Sequence, residues 1–123
     1  MSRDALPVSA AIATALILAG CAGNRPLPDA QLDTAEAAIT EAEAAGARAT
    51  APKLVNRADG KVNEARRLIE QEEYARAERL LEQATADARL AREQARTAEA
   101  KQAVRELEET IHRLENRMTR EQT

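Results

Sequence analysis

Small apolar residues recur at every third or fourth position through most of the chain, and large ones are sparse. Leu32, Ala35, Ile39, Ala42 and then Gly46 or Ala49 follow at helical spacing, which predicts an amphipathic helix over about 29–48. Asp29 is placed to cap its start, with Asp33 close to the positive end of the helix dipole. Thr50-Ala51-Pro52 reads as a restart: a capping hydroxyl followed by proline in the first turn. Val55, Ala58, Val62, Ala65 and Ile69 then mark a second helix, with Gly60 inside it at a cost of about 1 kcal/mol relative to alanine. A third stripe runs through Tyr74, Ala77, Leu81, Ala84, Ala88, Ala91, Ala95 and Ala98.

The second and third stripes do not share a face of one continuous helix. A turn around Gln71–Glu73 brings them together as an antiparallel hairpin, although no Gly or Pro marks it. The apolar face changes again further on. Leu90, Thr97, Val104, Ile111 and Met118 fall seven apart, with Ala100, Leu107 and Leu114 at the complementary position. From Val104 this is a heptad seam of β-branched residues and leucine, more than a third of a turn away from the Tyr74–Ala98 stripe. The proximal half of the third helix is thus expected to pack inside the domain and the distal half to pack elsewhere. Glu109 and Arg113 are spaced as a favourable pair on the exposed side.

Composition supports an all-α fold. Among 123 residues there is one Tyr and no Phe or Trp, so narrow helix–helix seams replace a thick core. The predicted architecture is a short antiparallel three-helix bundle with a long, coiled-coil-like third helix. A net charge of −3, spread over mixed-sign helices, argues against a nucleic-acid or anionic-membrane footprint. A single cysteine excludes an internal disulfide framework.

That cysteine sits at the end of an export-like segment. Met1-Ser2-Arg3-Asp4 is a weakly basic start, and an apolar stretch from Val8 to Leu18 follows Pro7. At about 11 residues it has the length of a signal h-region, short of the roughly 20 needed to span a membrane. It ends in Leu18-Ala19-Gly20-Cys21, which resembles the lipobox of bacterial lipoproteins. The resemblance implies recognition of Leu18, Ala19 and Gly20 by a signal peptidase and cleavage before Cys21. It further implies diacylglyceryl transfer to the Cys21 thiol and acylation of the freed amine. Two or more acyl chains anchor stably, at about 0.8 kcal/mol per buried CH₂. Ala22 stands where an aspartate would signal inner-membrane retention, so the resemblance places the chain on the outer membrane of a Gram-negative bacterium, facing the periplasm. Residues 21–28 then form the lipidated cysteine and a tether in which Pro26 and Pro28 favour extended geometry. The segment after the cysteine reaches roughly 20 Å at about 3 Å per residue.

From Ala30 to roughly Ala103 the chain also resembles an alanine-rich helical domain of unknown function. That domain occurs in outer-membrane lipoproteins and sometimes beside an OmpA-like peptidoglycan-binding domain. Ala51-Pro52-Lys53-Leu54 with Ala58, Lys61 and Ala65 carries one part of the likeness. Tyr74, Ala77, Leu80, Ala84, Asp87-Ala88 and Ala91 carry the other. The family usually has Gly-Asp before the tyrosine, where this chain has Glu72-Glu73. No OmpA-like domain follows in this sequence, so peptidoglycan binding of that kind is not inherited. The expected divisions are 1–20 signal peptide, 21–28 tether, 29–103 alanine-rich domain and 104–123 distal extension. Tyr74 is expected to plug one end of the hairpin as a core residue.

Catalytic chemistry finds little support. Ser2 and Ser9 both precede Cys21, leaving no serine after it. His112 is the lone histidine, on a charged face opposite the distal seam, with no second ligand at metal spacing. Glu72/Arg76, Arg66/Glu70 and Glu109/Arg113 have the spacing of helix-surface pairs, and the adjacent Glu108-Glu109 project in different directions. There is no glycine-rich phosphate loop and no aromatic platform for nucleic acid. The expectation is a non-catalytic envelope protein, structural or adaptor in role, with no cofactor beyond covalent lipid on Cys21. Its membrane contact is the lipid anchor. Its protein contact is a helical partner or a second copy, docked on Val104, Leu107, Ile111, Leu114 and Met118. Contact with peptidoglycan is left open. An accessory subunit of an envelope enzyme or transport complex is one alternative. A murein-lipoprotein-like spacer is another, and the ending Arg120-Glu121-Gln122-Thr123 lacks the lysine through which such spacers join the wall.

Overall fold

Four helices account for nearly all of residues 27–122, the part of the chain described by the structure, a computed structural model. They are α1 (Asp29–Ala44), α2 (Ala47–Thr50), α3 (Pro52–Glu70) and α4 (Tyr74–Glu121). No strand occurs among the described residues, and the fold is all-α. The segment bearing Leu18, Ala19, Gly20 and Cys21 lies outside them.

Local chemistry sets the boundaries. α1 begins behind Pro28, whose carbonyl accepts from the Leu32 N–H at 3.0 Å. Asp29 is the first helical residue, not the cap, and keeps only the favourable position at the positive helix end. The helix expected to reach residue 48 stops at Ala44. Gly46 takes φ +81°, its N–H donates to the Glu43 carbonyl at 2.9 Å, and the chain turns into the single-turn α2. Glycine adopts this left-handed geometry at little cost and so terminates helices. It is not part of the packing stripe, and Ala49 is exposed. Pro52 opens α3 as expected, but the Thr50 hydroxyl donates back to the Gly46 carbonyl at 3.2 Å and does not cap α3.

The turn at 71–73 forms without Gly or Pro. The Glu72 N–H donates to Ile69 O at 3.0 Å and the Glu73 N–H to Leu68 O at 2.8 Å, while Glu72 adopts φ +61°. This is the two-bond Schellman pattern, satisfying carbonyls that the end of α3 would otherwise leave without partners.

Cross-helix bonds fix direction and register. Glu36 accepts from Arg66 at 2.6 Å, and Arg48 reaches Asp59 at 3.3 Å, so α3 runs back along α1 and α2. Lys61 Nζ lies 2.8 Å from Asp87 Oδ2, and Arg57 Nε 3.7 Å from it, which sets α3 against α4. Gln31 bonds Glu78 at 3.4 Å and Glu41 pairs with Arg92, so α1 and α4 run the same way. The Arg48 pKa is raised above its usual value, first by the hydrogen bond and charge of Glu43 and then by Asp59. That of Arg92 is raised first by Glu93, then by Glu41.

The core is mostly alanine. Its large members are Ile39, Leu54, Val55, Val62, Leu68 and Leu81, of which Val55 and Leu81 are fully enclosed. Ala35, Ala42, Ala58, Ala65, Ala77, Ala84, Ala88 and Ala91 are wholly buried and form the close contacts between helices. Thr85 is buried too, its hydroxyl satisfied by the Leu81 carbonyl at 2.9 Å. Tyr74 begins α4 but is only half-buried, as are Leu32 and Ile69, because each lies near the open end of the bundle.

Candidate docking surface on the long helix

α4 has 48 residues, about 72 Å at 1.5 Å per residue. Its buried positions, from Ala77 to Ala95, occupy only the first half. From Glu99 onward every described residue is exposed. The helix can continue because it grows from a turn already held by α1 and α3, so the costly nucleation step is avoided.

The projecting half carries the large apolar side chains that a short bundle would be expected to hide. Val104 is 55% exposed, Leu107 61%, Ile111 47%, Leu114 51% and Met118 61%. Leu90, at the same heptad position as Val104, is also half exposed. The structure thus leaves the sequence-predicted seam in a single row along one helix. At 100° per residue the seam lies about 150° around α4 from the bundle-facing alanines, nearly the opposite side. A segment laid on the seam would therefore clear α1 and α3.

The polar neighbours keep to their own helix. Gln102 Nε2 donates to Glu106 Oε1 at 2.9 Å. Arg113 does not pair with the Glu109 carboxylate; its guanidinium donates to the Glu109 carbonyl at 3.3 Å and to the Thr110 hydroxyl at 3.1 Å. The other expected local pairs also resolve differently. Arg76 bonds Glu73 at 2.5 Å, and Arg66 crosses to Glu36. Arginine is long enough to reach a cross-helix carboxylate or one three residues back in place of its i,i+4 neighbour. His112 is 75% exposed, with Nδ1 4.0 Å from Glu115.

Concave sites range from about 290 to about 500 Å³. One of about 290 Å³ between α1 and α4 is lined by Gln31, Thr34, Leu81, Glu82, Thr85 and Arg89, with no histidine or cysteine. Among the described residues no group of three or more His, Cys, Asp or Glu side chains could hold a metal ion. No described helix is long and apolar enough to cross a membrane.

Residues 30–107 match the family described as Domain of unknown function (DUF4398). The chain belongs to this family. No curated protein and no solved structure matches it. The DUF4398 match takes in the whole bundle and ends at Leu107, so Ile111, Leu114 and Met118 lie beyond it. Within the matched span, Glu72 holds the left-handed conformation of the turn before Tyr74, a geometry that glycine adopts at lower cost.

Proposed function

We propose that this DUF4398 protein is a non-catalytic, lipid-anchored component of the Gram-negative cell envelope that holds a helical docking face out from the outer membrane into the periplasm. One observation carries the docking role: five large apolar side chains, Val104 to Met118, stand exposed in register on a helix continuous with the bundle core. Exposed apolar surface of this extent marks a binding site more often than a solvated face. The anchoring role is supported by Leu18-Ala19-Gly20-Cys21 and by the proline-bearing tether that leads into α1.

Metabolic labelling tests the anchor. Cells making the full chain and supplied with labelled palmitate should label it, and Cys21→Ser should remove the label and leave the uncleaved precursor. Undiminished label on the Cys21→Ser chain, or recovery of the wild-type chain in the soluble fraction, would refute the anchoring role. Crosslinking from the distal half of α4 in intact cells tests docking, with a covalent adduct at seam positions as the expected result.

A further inference from the structure

We infer that the partner of the seam is a second copy of this chain, joined as a parallel, in-register two-stranded coiled coil over Thr97–Met118. The inference rests on the reading of the seam as a docking face and commits it to one occupant.

Three observations lead there. The first is the choice of side chains. With Val104 assigned to heptad position a, the a sites are Val104, Ile111 and Met118, and the d sites are Leu107 and Leu114. β-Branched residues at a with leucine at d favour two parallel strands over higher-order bundles. The ends are polar, because Glu93 and Glu121 occupy the flanking d sites. Glu93 is moreover engaged by Arg92 at 3.1 Å and Arg96 at 3.5 Å of its own chain.

The second is register. In the parallel pairing each large apolar residue meets its own counterpart, giving five apolar layers. The antiparallel pairing with greatest overlap sets Val104 against Leu114 and Leu107 against Ile111, but Met118 then meets Ala100. Shifting that pairing by one heptad places Met118 against Glu93. Within the parallel seam the g-to-e contacts Ala103 to Glu108 and Thr110 to Glu115 carry no like-charge pair, and the like-charge contact of Arg96 with Lys101 falls at its N-terminal edge.

The third is area. Five side chains 47–61% exposed on each of two copies bring together on the order of 1,000 Å² of surface, the lower bound for a specific interface. The roughly 150° between seam and core leaves room for the second copy beside each bundle. Parallel pairing also sets the starts of α1 of both copies at the same end, which suits the proposed anchor without depending on it.

Cysteine crosslinking of the full chain in membranes of cells that make it tests this. Ile111→Cys lies in the proposed seam and Glu109→Cys on the outward face, with Cys21 common to both. Mild oxidation should give a dimer of doubled mass from Ile111→Cys at about ten times the yield from Glu109→Cys or more. Adding Leu107→Lys and Leu114→Lys should cut the Ile111→Cys dimer by about tenfold or more. Both leucines are exposed in the monomer, so a retained helical circular dichroism signal with a cooperative thermal melt, shifted only by the loss of association, would show that the bundle survives. Equal dimer yields from the two cysteines would overturn the inference. Co-production of Leu107→Cys and Ile111→Cys chains with tags of different size tests direction: a mixed product exceeding the Ile111 homodimer would overturn the parallel register. An adduct of another mass would overturn the second copy as occupant while leaving the docking role intact. Absence of any adduct from seam positions would overturn both. Loss of palmitate labelling with the dimer retained would count against the anchor alone.

Discussion

Gly60→Ala and Gly46→Ala make the same chemical change at two sites where nothing lies within 4 Å of the added Cβ. Space therefore cannot distinguish them, and backbone conformation must. Gly60 sits exposed inside α3, where alanine is better than glycine by about 1 kcal/mol. Gly46 holds φ +81° at the end of α1, where a Cβ costs about 1–2 kcal/mol. Part of that cost, about 0.4–1 kcal/mol, is offset by the lower entropy of the unfolded alanine chain. The expected outcome is about 1 kcal/mol of stabilisation for Gly60→Ala and about 0.5–1 kcal/mol of destabilisation for Gly46→Ala. In a domain of this size each kcal/mol moves Tm by roughly 4–8 °C, so the two variants should separate clearly. Far-UV circular dichroism, followed through thermal and urea unfolding of the chain from Ala22 onward, measures both. That fragment contains every core residue, from Ala35 to Ala95. Shifts of the same sign would refute the assignment of Gly46 as a left-handed helix terminator.

Glu72→Gly should raise stability by about 1 kcal/mol, because it relieves the left-handed φ of +61° while leaving the turn hydrogen bonds in place; a drop in urea midpoint would count against it. Leu81→Ala removes the larger of the two fully enclosed side chains and should cost about 3–4 kcal/mol, approaching the whole stability of a domain this small. A loss under about 1 kcal/mol would mean that Leu81 does not pack as described. Asp87→Ala leaves the part-buried Lys61 ammonium without its 2.8 Å partner and should cost about 1–2 kcal/mol. A double-mutant cycle with Lys61→Ala should return a coupling near 1 kcal/mol, and zero coupling would show the pair to be ornamental.

Periodicity made the helices legible, together with most of the faces that pack. The third stripe from Ala77 to Ala95 is buried almost as spaced, since α4 meets α1 and α3 along one broad face. α3 was less transparent. Val55, Ala58, Val62 and Ala65 are buried as the stripe requires, yet Leu54 and Leu68 join them. α3 touches both α1 and α4, so its buried arc is wider than one row at three–four spacing can mark. Ala38 and Ala47 were hidden for a related reason: alanine is too common here to single out which copies face inward. At the ends the pattern promised too much. Leu32, Ile69 and Tyr74 obey the spacing but sit where the bundle runs out and are only partly buried. Gly46 was legible as a residue and misjudged in role, because periodicity is blind to the sign of φ. The distal seam stood out in sequence for the opposite reason: its large residues repeat every seven positions among alanines and charges. The same spacing left its occupant open, since heptads describe a face and not what lies on it.

Because α4 is unbroken from Tyr74 to Glu121, the bundle and the seam share one rotational phase. A single residue inserted between Ala98 and Val104 would swing the seam by about 100° around the axis while leaving every contact on either side of the insertion intact. Seven inserted residues would lengthen the rod by about 10 Å and turn the seam by only about 20°. The intervening turns, exposed and clear of α1, α2 and α3 from Glu99 onward, thus behave as a gear whose tooth count matters more than its composition. Changes in length there should be tolerated in whole heptads, and shorter steps should leave a folded protein facing the wrong way.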